Sequence, residues 1–319
     1  MQEINRRYPN FDLMRLLLAA EVVFVHAAYY INNAFAWAGF IMAVPAFLAI
    51  SGFLVLKSYE ESGSWSFFLK KRGLRLLPAL AVSMVLCFLL FDAFAVKNSL
   101  LNYLSGGIYT LEGAANAPLW SLAWEELAYF CLALLWMAGA YRNRISIWLL
   151  LLASMIVVHG GRHLPGHVQI ILFLGPAFFI GNLMYLYRDV LLRVHPVIPW
   201  VLFLAVCFNA YIPGVHGIVD IYPLVFQSFS IVWVGMAGFR AIPFKFPDIS
   251  YGLYIYHFPL VLFIVRHNLA TTYVGMATYL IPPLVMICVA SWYLIEKPAL
   301  RLKNVPLRPY ARRVLAVIN

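Results

Sequence analysis

Apolar segments of about twenty residues recur from one end of this chain to the other. A helix needs about 20 such residues to cross a bilayer, so this repeat constrains the fold more than any other feature. Charged residues make up 11% of the chain, whereas soluble domains carry about 25%. We therefore predict an all-α, polytopic membrane protein with about ten transmembrane helices, at 11–31, 35–57, 74–95, 118–138, 145–159, 168–187, 197–212, 218–238, 249–266 and 273–296.

The basic residues fall almost entirely on one side of this ten-helix arrangement. With a cytoplasmic N-terminus, 20 of the 23 lysines and arginines face the cytoplasm, and the other side receives Lys97, Arg162 and Arg266. This is the positive-inside pattern, which a missed or extra helix would scramble. We predict that both termini are cytoplasmic. The net charge of +10 then faces anionic lipid headgroups and cytoplasmic anions, and no nucleic acid is needed to explain it.

The connections between these segments are too short for a soluble domain. The longest are 58–73 and 96–117. We expect residues 1–319 to form a single integral-membrane domain with no fused soluble domain. We also expect a basic, amphipathic cytoplasmic tail at 297–319 that lies along the inner leaflet. The four cysteines are scattered singly without metal-ligand spacing, so we predict no metal site.

The first apolar segment carries ionisable side chains at membrane depth. A signal peptide would lack Arg15, Glu21 and His26 in its apolar core, so we expect the segment to remain in the mature protein. Arg15 and His26 are eleven residues apart and therefore share one helix face, about 16 Å apart in depth. Ionisable groups are costly in the bilayer, and there they usually serve a function.

The fourth segment adds a polar stripe to an otherwise apolar helix. Ser121, Glu125 and Tyr129 follow at i, i+4 and i+8 on one face, whereas Glu126 is turned about 100° toward a different neighbour. His26 and Glu125 both lie about 8–10 Å below the outer surface, so we predict that they pair and that the carboxylate orients the imidazole. In the alternative, the stripe only joins helices by hydrogen bonds.

A second group of polar residues lies at the predicted cytoplasmic side. Arg72 and Arg75 are i, i+3 neighbours at the mouth of the third segment, and Arg15 lies at the same level. Converging guanidinium groups bind phosphate-rich anions through paired hydrogen bonds. Ordinary positive-inside flanking is the alternative for these arginines.

Two further positions sit within apolar segments. Ser51-Gly52 is a small pair that permits either close approach of another helix backbone or a kink. His257 precedes Pro259 by two residues, and the proline frees a backbone carbonyl. His257 therefore either serves a function or satisfies the backbone.

Taken together, these residues resemble the membrane acyltransferases of family 3, the bacterial envelope O-acyltransferases. The resemblance covers essentially the whole chain and rests on six motifs in order: Asp12, Arg15 and His26; Ser51-Gly52-Phe53; Arg72 and Arg75; Asn116 with Trp120-Ser121-Leu122, Glu125-Glu126 and Tyr129; Ser250-Tyr251 with Tyr254 and His257; and Glu296-Lys297-Pro298.

The resemblance implies an enzyme of the bacterial inner membrane that moves an acyl group, expected to be acetyl, from cytoplasmic acyl-CoA to a sugar hydroxyl. The acceptor would be an envelope or exported polysaccharide or its lipid-linked precursor. Acyl-CoA would act as a co-substrate, with no permanently bound cofactor. Membrane lipids and polysaccharide assembly or export proteins are the further expected partners.

The resemblance also implies roles for the site residues. His26 and Glu125 would be catalytic, with His26 either a general base or the carrier of an acyl group. The donor would be bound by Arg15, Ser51, Arg72 and Arg75. Supporting or acceptor-site roles would fall to Asn116, Trp120, Ser121, Glu126, Tyr129, Tyr254 and His257.

A proton-coupled transporter of an anionic substrate is the competing interpretation. Intramembrane glutamate and histidine together with inner arginines also suit such a carrier. A transporter of this kind is expected to have repeated halves with broken helices at matching positions, and we find no such repeat in the sequence.

Overall fold

In the computed structural model, the described part of the chain is helical and contains no strand. The structure describes residues 8, 10–32, 41–62, 64–108, 113–209, 221–237 and 247–304. The predicted helices 35–57, 197–212 and 218–238 and the predicted tail 297–319 fall partly outside these ranges.

Thirteen α-helices form the described part. They are α1 Asn10–Asn32, α2 Ala43–Ser62, α3 Trp65–Leu90, α4 Ala93–Leu104, α5 Trp120–Met137, α6 Arg144–Gly160, α7 Gly166–Leu186, α8 Arg188–Leu191, α9 Val197–Asn209, α10 Ile221–Ala237, α11 Ser250–Arg266, α12 Tyr273–Ser291 and α13 Lys297–Arg301. A π-helical turn, Trp292–Glu296, joins α12 to α13, so the chain continues as helix beyond the predicted end at residue 296.

Six helical stretches of the described chain are long and apolar enough to cross a membrane. They are Ala43–Ser62, Trp65–Leu90, Ala117–Met137, Arg144–His163, Gly166–Leu186 and Tyr273–Arg301. The structure is therefore that of an all-helical membrane protein. Each of the ten predicted segments overlaps a helix, while the count of ten spans and the cytoplasmic position of the termini stay predictions.

The third predicted segment, 74–95, was wrong at both ends. Helix α3 begins nine residues earlier, where the Ser64 hydroxyl accepts a hydrogen bond from the Phe67 amide at 3.3 Å. It ends at Leu90, and Asp92 then caps α4 by accepting from the Ala95 amide at 2.7 Å. Serine and aspartate at these positions satisfy amides that lack partners within a helix. Arg72 and Arg75 consequently project from a formed helix and not from its mouth.

Helices α2 and α7 approach closely through two glycines. A Cβ atom at Gly52 would lie 2.2 Å from the Phe178 carbonyl oxygen, and one at Gly181 would lie 2.0 Å from the Ala49 carbonyl oxygen. The structure confirms the close backbone approach predicted for Ser51-Gly52. Ser51 directly precedes Gly52 on α2. The close helix contact therefore also fixes the position of the Ser51 side chain.

We expect Gly52→Ala to destabilise the protein by about 2 kcal/mol or more, because the added methyl group must push α2 and α7 apart. Thermal unfolding of the purified protein in detergent would measure the loss. Gly73→Ala is the matched control, since its Cβ would meet only the Leu77 Cδ1 atom at 3.6 Å. Equal effects of the two substitutions would contradict the proposed contact.

Candidate active site

A cavity of about 330 Å³ lies among α1, α2, α3, α5 and α11, next to the segment that follows α13. It brings together eight of the predicted site residues: Arg15, Ser51, Arg72, Arg75, Ser121, Glu125, Tyr129 and Tyr254. Five others are not among its lining residues: His26, Asn116, Trp120, Glu126 and His257.

The side chains that line this cavity carry a large excess of positive charge. Five are basic, and Glu125 is the acidic one among the described lining residues. The basic side chains are Arg15, Lys71, Arg72, Arg75 and Lys303. A concave site with low-dielectric walls and charges of one sign concentrates ligands of the opposite sign, so the cavity suits an anion.

Arg75 is held in the cavity wall by Asp248, which precedes α11. The Arg75 guanidinium donates to Asp248 Oδ2, and the Ser250 hydroxyl donates to Asp248 Oδ1 at 2.7 Å. Burial would raise the pKa of Asp248, but the nearby Arg75 and Arg15 more than offset this effect and hold that pKa below its usual value. Asp248 was not among the predicted site residues. Its position directly before a helix was the available signal.

Arg72 lies against two neighbouring aromatic rings. Its guanidinium carbon is 5.4 Å from the centre of the Tyr129 ring and 5.5 Å from that of Phe68. This geometry allows cation–π attraction, which holds a guanidinium group without a carboxylate. The Arg72 Nε atom is buried and has no hydrogen-bond partner among the described residues, so an N–H donor remains for a ligand.

Glu125 lines the cavity and accepts hydrogen bonds from side chains of two helices, α2 and α5. The Ser51 hydroxyl and the Tyr129 hydroxyl both donate to Glu125 Oε1, the latter at 2.5 Å. The stripe of Ser121, Glu125 and Tyr129 lines the cavity as its helical spacing indicates.

One end of the cavity is formed by Ser121 and Tyr254. Their hydroxyl oxygens are 2.5 Å apart, and the Tyr254 hydroxyl donates to the Pro118 carbonyl at 2.8 Å. On the other side of Tyr254, its ring centre is 6.3 Å from that of His257. Tyr254 therefore contacts both the cavity and a histidine group beyond it.

The predicted pairing of His26 with Glu125 was wrong. His26 Nδ1 lies 3.0 Å from His257 Nε2, and the centres of the two imidazole rings are 5.1 Å apart with 27° between the ring planes. The residues matched in predicted depth, but α1 packs along α11 and brings His257 to His26. Glu125 faces the cavity instead.

The hydrogen bonds of this histidine pair define its tautomers. His257 Nδ1 lies 3.0 Å from the Leu253 carbonyl oxygen, which can only accept, so His257 carries its proton on Nδ1. A fully buried imidazole is neutral in the absence of an acid, so His257 Nε2 accepts a hydrogen bond from His26 Nδ1. The lone pair of His26 is then on Nε2.

The remaining predicted residues hold α5 in place. Asn116 Nδ2 donates to the Ile255 carbonyl of α11 at 2.8 Å, and Glu126 accepts from the Tyr103 hydroxyl of α4 at 2.6 Å. Trp120 packs so tightly on Gly107 that a Cβ there would lie 2.9 Å from the Trp120 Cβ atom. Glu126 thus serves a different neighbour from Glu125, as its helical position predicted.

Among the described residues, no group of three or more histidine, cysteine, aspartate or glutamate side chains is arranged to hold a metal ion.

Comparison with known proteins identifies the class. A family model described as an acyltransferase domain matches residues 8–296, so the chain belongs to acyltransferase family 3. Nodulation protein 10 of Rhizobium leguminosarum bv. viciae is 27% identical over 92% of this chain and 94% of its own length. The O-acetyl transferase of Shigella phage Sf6 is 28% identical over 90% of this chain and 94% of its own length. No solved structure matches the chain significantly.

Family membership and the apolar helices together make this protein a membrane O-acyltransferase. The resemblance inferred from the motifs is thereby confirmed.

We expect Asp248→Asn to destabilise the protein by about 1–3 kcal/mol, because it leaves the partly buried Arg75 without its counter-charge. A double-mutant cycle with Arg75→Met, followed by thermal unfolding, would measure the coupling between the two side chains. Asp189→Asn, at an exposed position, is the matched control. A coupling energy of zero would show that the pair does not stabilise the fold.

Proposed function

We propose that this protein transfers an acetyl group from cytoplasmic acetyl-CoA to a sugar hydroxyl of an envelope or exported polysaccharide or of its lipid-linked precursor. The observation that carries the proposal is the cationic cavity, which ends at Tyr254 beside the His26–His257 pair. We place the enzyme in the bacterial inner membrane.

The shape of the cavity suits a donor with an anionic end and a reactive end. Val44 and Ser58 of α2 both line it, and their fourteen-residue separation corresponds to about 21 Å along the helix. At about 330 Å³ the cavity is narrow for such a length. CoA has this form, because its phosphates and its thioester are at opposite ends of a thin pantetheine arm.

The guanidinium groups of Arg15, Arg72 and Arg75 would bind the diphosphate of CoA. Arg72 has an N–H with no hydrogen-bond partner among the described residues, and Arg75 is positioned by its ion pair with Asp248. Hydrogen bonds between guanidinium and phosphate are strong because both partners are ionised. The thioester would then extend past Ser51 and Glu125 toward Ser121 and Tyr254.

His26 would act as the general base. Its Nε2 takes the proton from the sugar hydroxyl while the hydroxyl oxygen attacks the thioester carbonyl carbon. The carbon–sulfur bond then breaks, CoA leaves as a thiolate, and the proton returns from His26 to that sulfur. His257 would stabilise the transient imidazolium by accepting a hydrogen bond from His26 Nδ1–H.

The names of the relatives support acetyl as the transferred group. One relative is named an O-acetyl transferase, and its match extends over 90% of this chain. Acetyl is also small enough to pass a narrow cavity, whereas a long acyl chain would need more volume beyond Tyr254.

His26→Ala should lower acetyl transfer at least about 100-fold, because the reaction loses its base. Purified protein in detergent would be incubated with labelled acetyl-CoA and candidate glycans, and label in the glycan would be counted. His159→Ala, at an exposed position, is the matched control and should retain activity.

Full transfer by His26→Ala would overturn the assignment of the base. Label retained on the wild-type protein without acceptor, and lost in His26→Ala, would instead indicate an acyl-histidine intermediate. Uptake of an anion into vesicles in the absence of any acetyl transfer would favour the transporter interpretation.

His257→Leu should lower kcat about 10–100-fold and leave the KM for acetyl-CoA unchanged, since His26 loses the group that orients it. His257→Gln should restore part of the rate, because its side-chain oxygen can accept from His26 Nδ1–H. Steady-state kinetics of both variants would separate kcat from KM. Equal losses in the two variants would argue for a packing role only.

A further inference from the structure

The end of the cavity farthest from Tyr254 is lined by lysines. Lys71 of α3 and Lys303, which follows α13, lie there together with Ser58 of α2. Helix α13 and the turn after it pack against α3, which brings Lys303 to the cavity. The first residues of the predicted tail therefore form part of the cavity wall.

Neither lysine forms an ion pair with a described carboxylate. The Lys71 ammonium donates to the Ser62 hydroxyl at 3.2 Å and lies 4.4 Å from the centre of the Phe67 ring. Glu61 is within electrostatic range, but it is paired with Lys57. Lys71 also experiences the positive charges of Lys57, Arg72 and Lys303. This end of the cavity thus has positive charge that the described protein groups do not neutralise.

The lysines lie at a different position along the length of the cavity from Glu125. Ser58 lies seven residues beyond Ser51 on α2, which is about 10 Å along the helix. Arg72 extends toward Tyr129, at the level of Ser51 and Glu125, whereas its neighbour Lys71 extends the other way, toward Ser62. The adjacent residues Lys71 and Arg72 of α3 thus line the cavity at two different positions along its length.

We propose that Lys71 and Lys303 form a second anion site that binds the 3′-phosphate of CoA. This inference rests on the proposed function. CoA carries a diphosphate within its chain and a phosphate monoester on the ribose, on the side away from the thioester. Along the cavity, the order is lysines, guanidinium groups, then Ser121 and Tyr254. Along the donor, the matching order is 3′-phosphate, diphosphate and thioester. Ammonium groups act as point charges and suit a dianionic phosphate near solvent.

Acetyl-CoA and acetyl-3′-dephospho-CoA provide the test, because they differ only in this phosphate. In neutral detergent, the wild-type enzyme should have a KM about tenfold lower for acetyl-CoA than for the dephospho donor. In Lys303→Gln and in Lys71→Gln this ratio should fall toward one. Lys297→Gln is the matched control, since Lys297 lies in the same segment but does not line the cavity. It should keep the wild-type ratio.

Equal KM values for the two donors in the wild-type enzyme would overturn the inference, as would a ratio of about ten that persists in both lysine variants. An anionic lipid at this site would give a different result. Added phosphatidylglycerol would then raise the KM for acetyl-CoA while the two donors remained equal, which also counts against the proposal. Absence of any transfer from acetyl-CoA would instead contradict the proposed function itself.

Discussion

A charge within a membrane protein has to be paired, stacked or hydrogen-bonded, and the site depends on how this chain meets that constraint. Removing an ionised side chain from water costs several kcal/mol unless protein groups replace the solvent. Asp248 does this for Arg75, two aromatic rings do it for Arg72, and two hydroxyl groups do it for Glu125. Each of these charged groups has at least one partner from another segment of the chain, namely Asp248, Tyr129 and Ser51, so the cavity exists only in the packed bundle.

The polar side chains of the site form two separate groups, and Tyr254 lies next to both. On one side are the guanidinium and ammonium groups of the cavity, and on the other is the histidine pair. This separation has a chemical benefit. Under the proposed function, His26 would accept the hydroxyl proton outside the cavity that holds the arginines, whose positive charges would oppose its protonation. The phosphates of the proposed donor, in turn, would be bound away from the acceptor.

The helical positions within single segments were predictable, but the partners across segments were not. Periodicity placed Glu125 in the cavity and turned Glu126 away from it, toward Tyr103. His26 and Glu125 were predicted to pair because they share one membrane depth. That prediction was wrong because many residues of a helix bundle lie at the same depth. Only the packing of α1 along α11 selects His257 as the partner of His26.

By itself, the sequence determined the membrane class, the helices and the family, because apolar length, helical spacing and local motifs are properties of short stretches of chain. The tertiary structure decided which polar groups meet. His26 contacts a residue 231 positions away, and Arg75 contacts one 173 positions away. Lys303 reaches the cavity only because the chain after α12 folds back on α3. Such contacts depend on which helices are neighbours, and the close approach of backbones at Gly52 and Gly181 helps to set that arrangement.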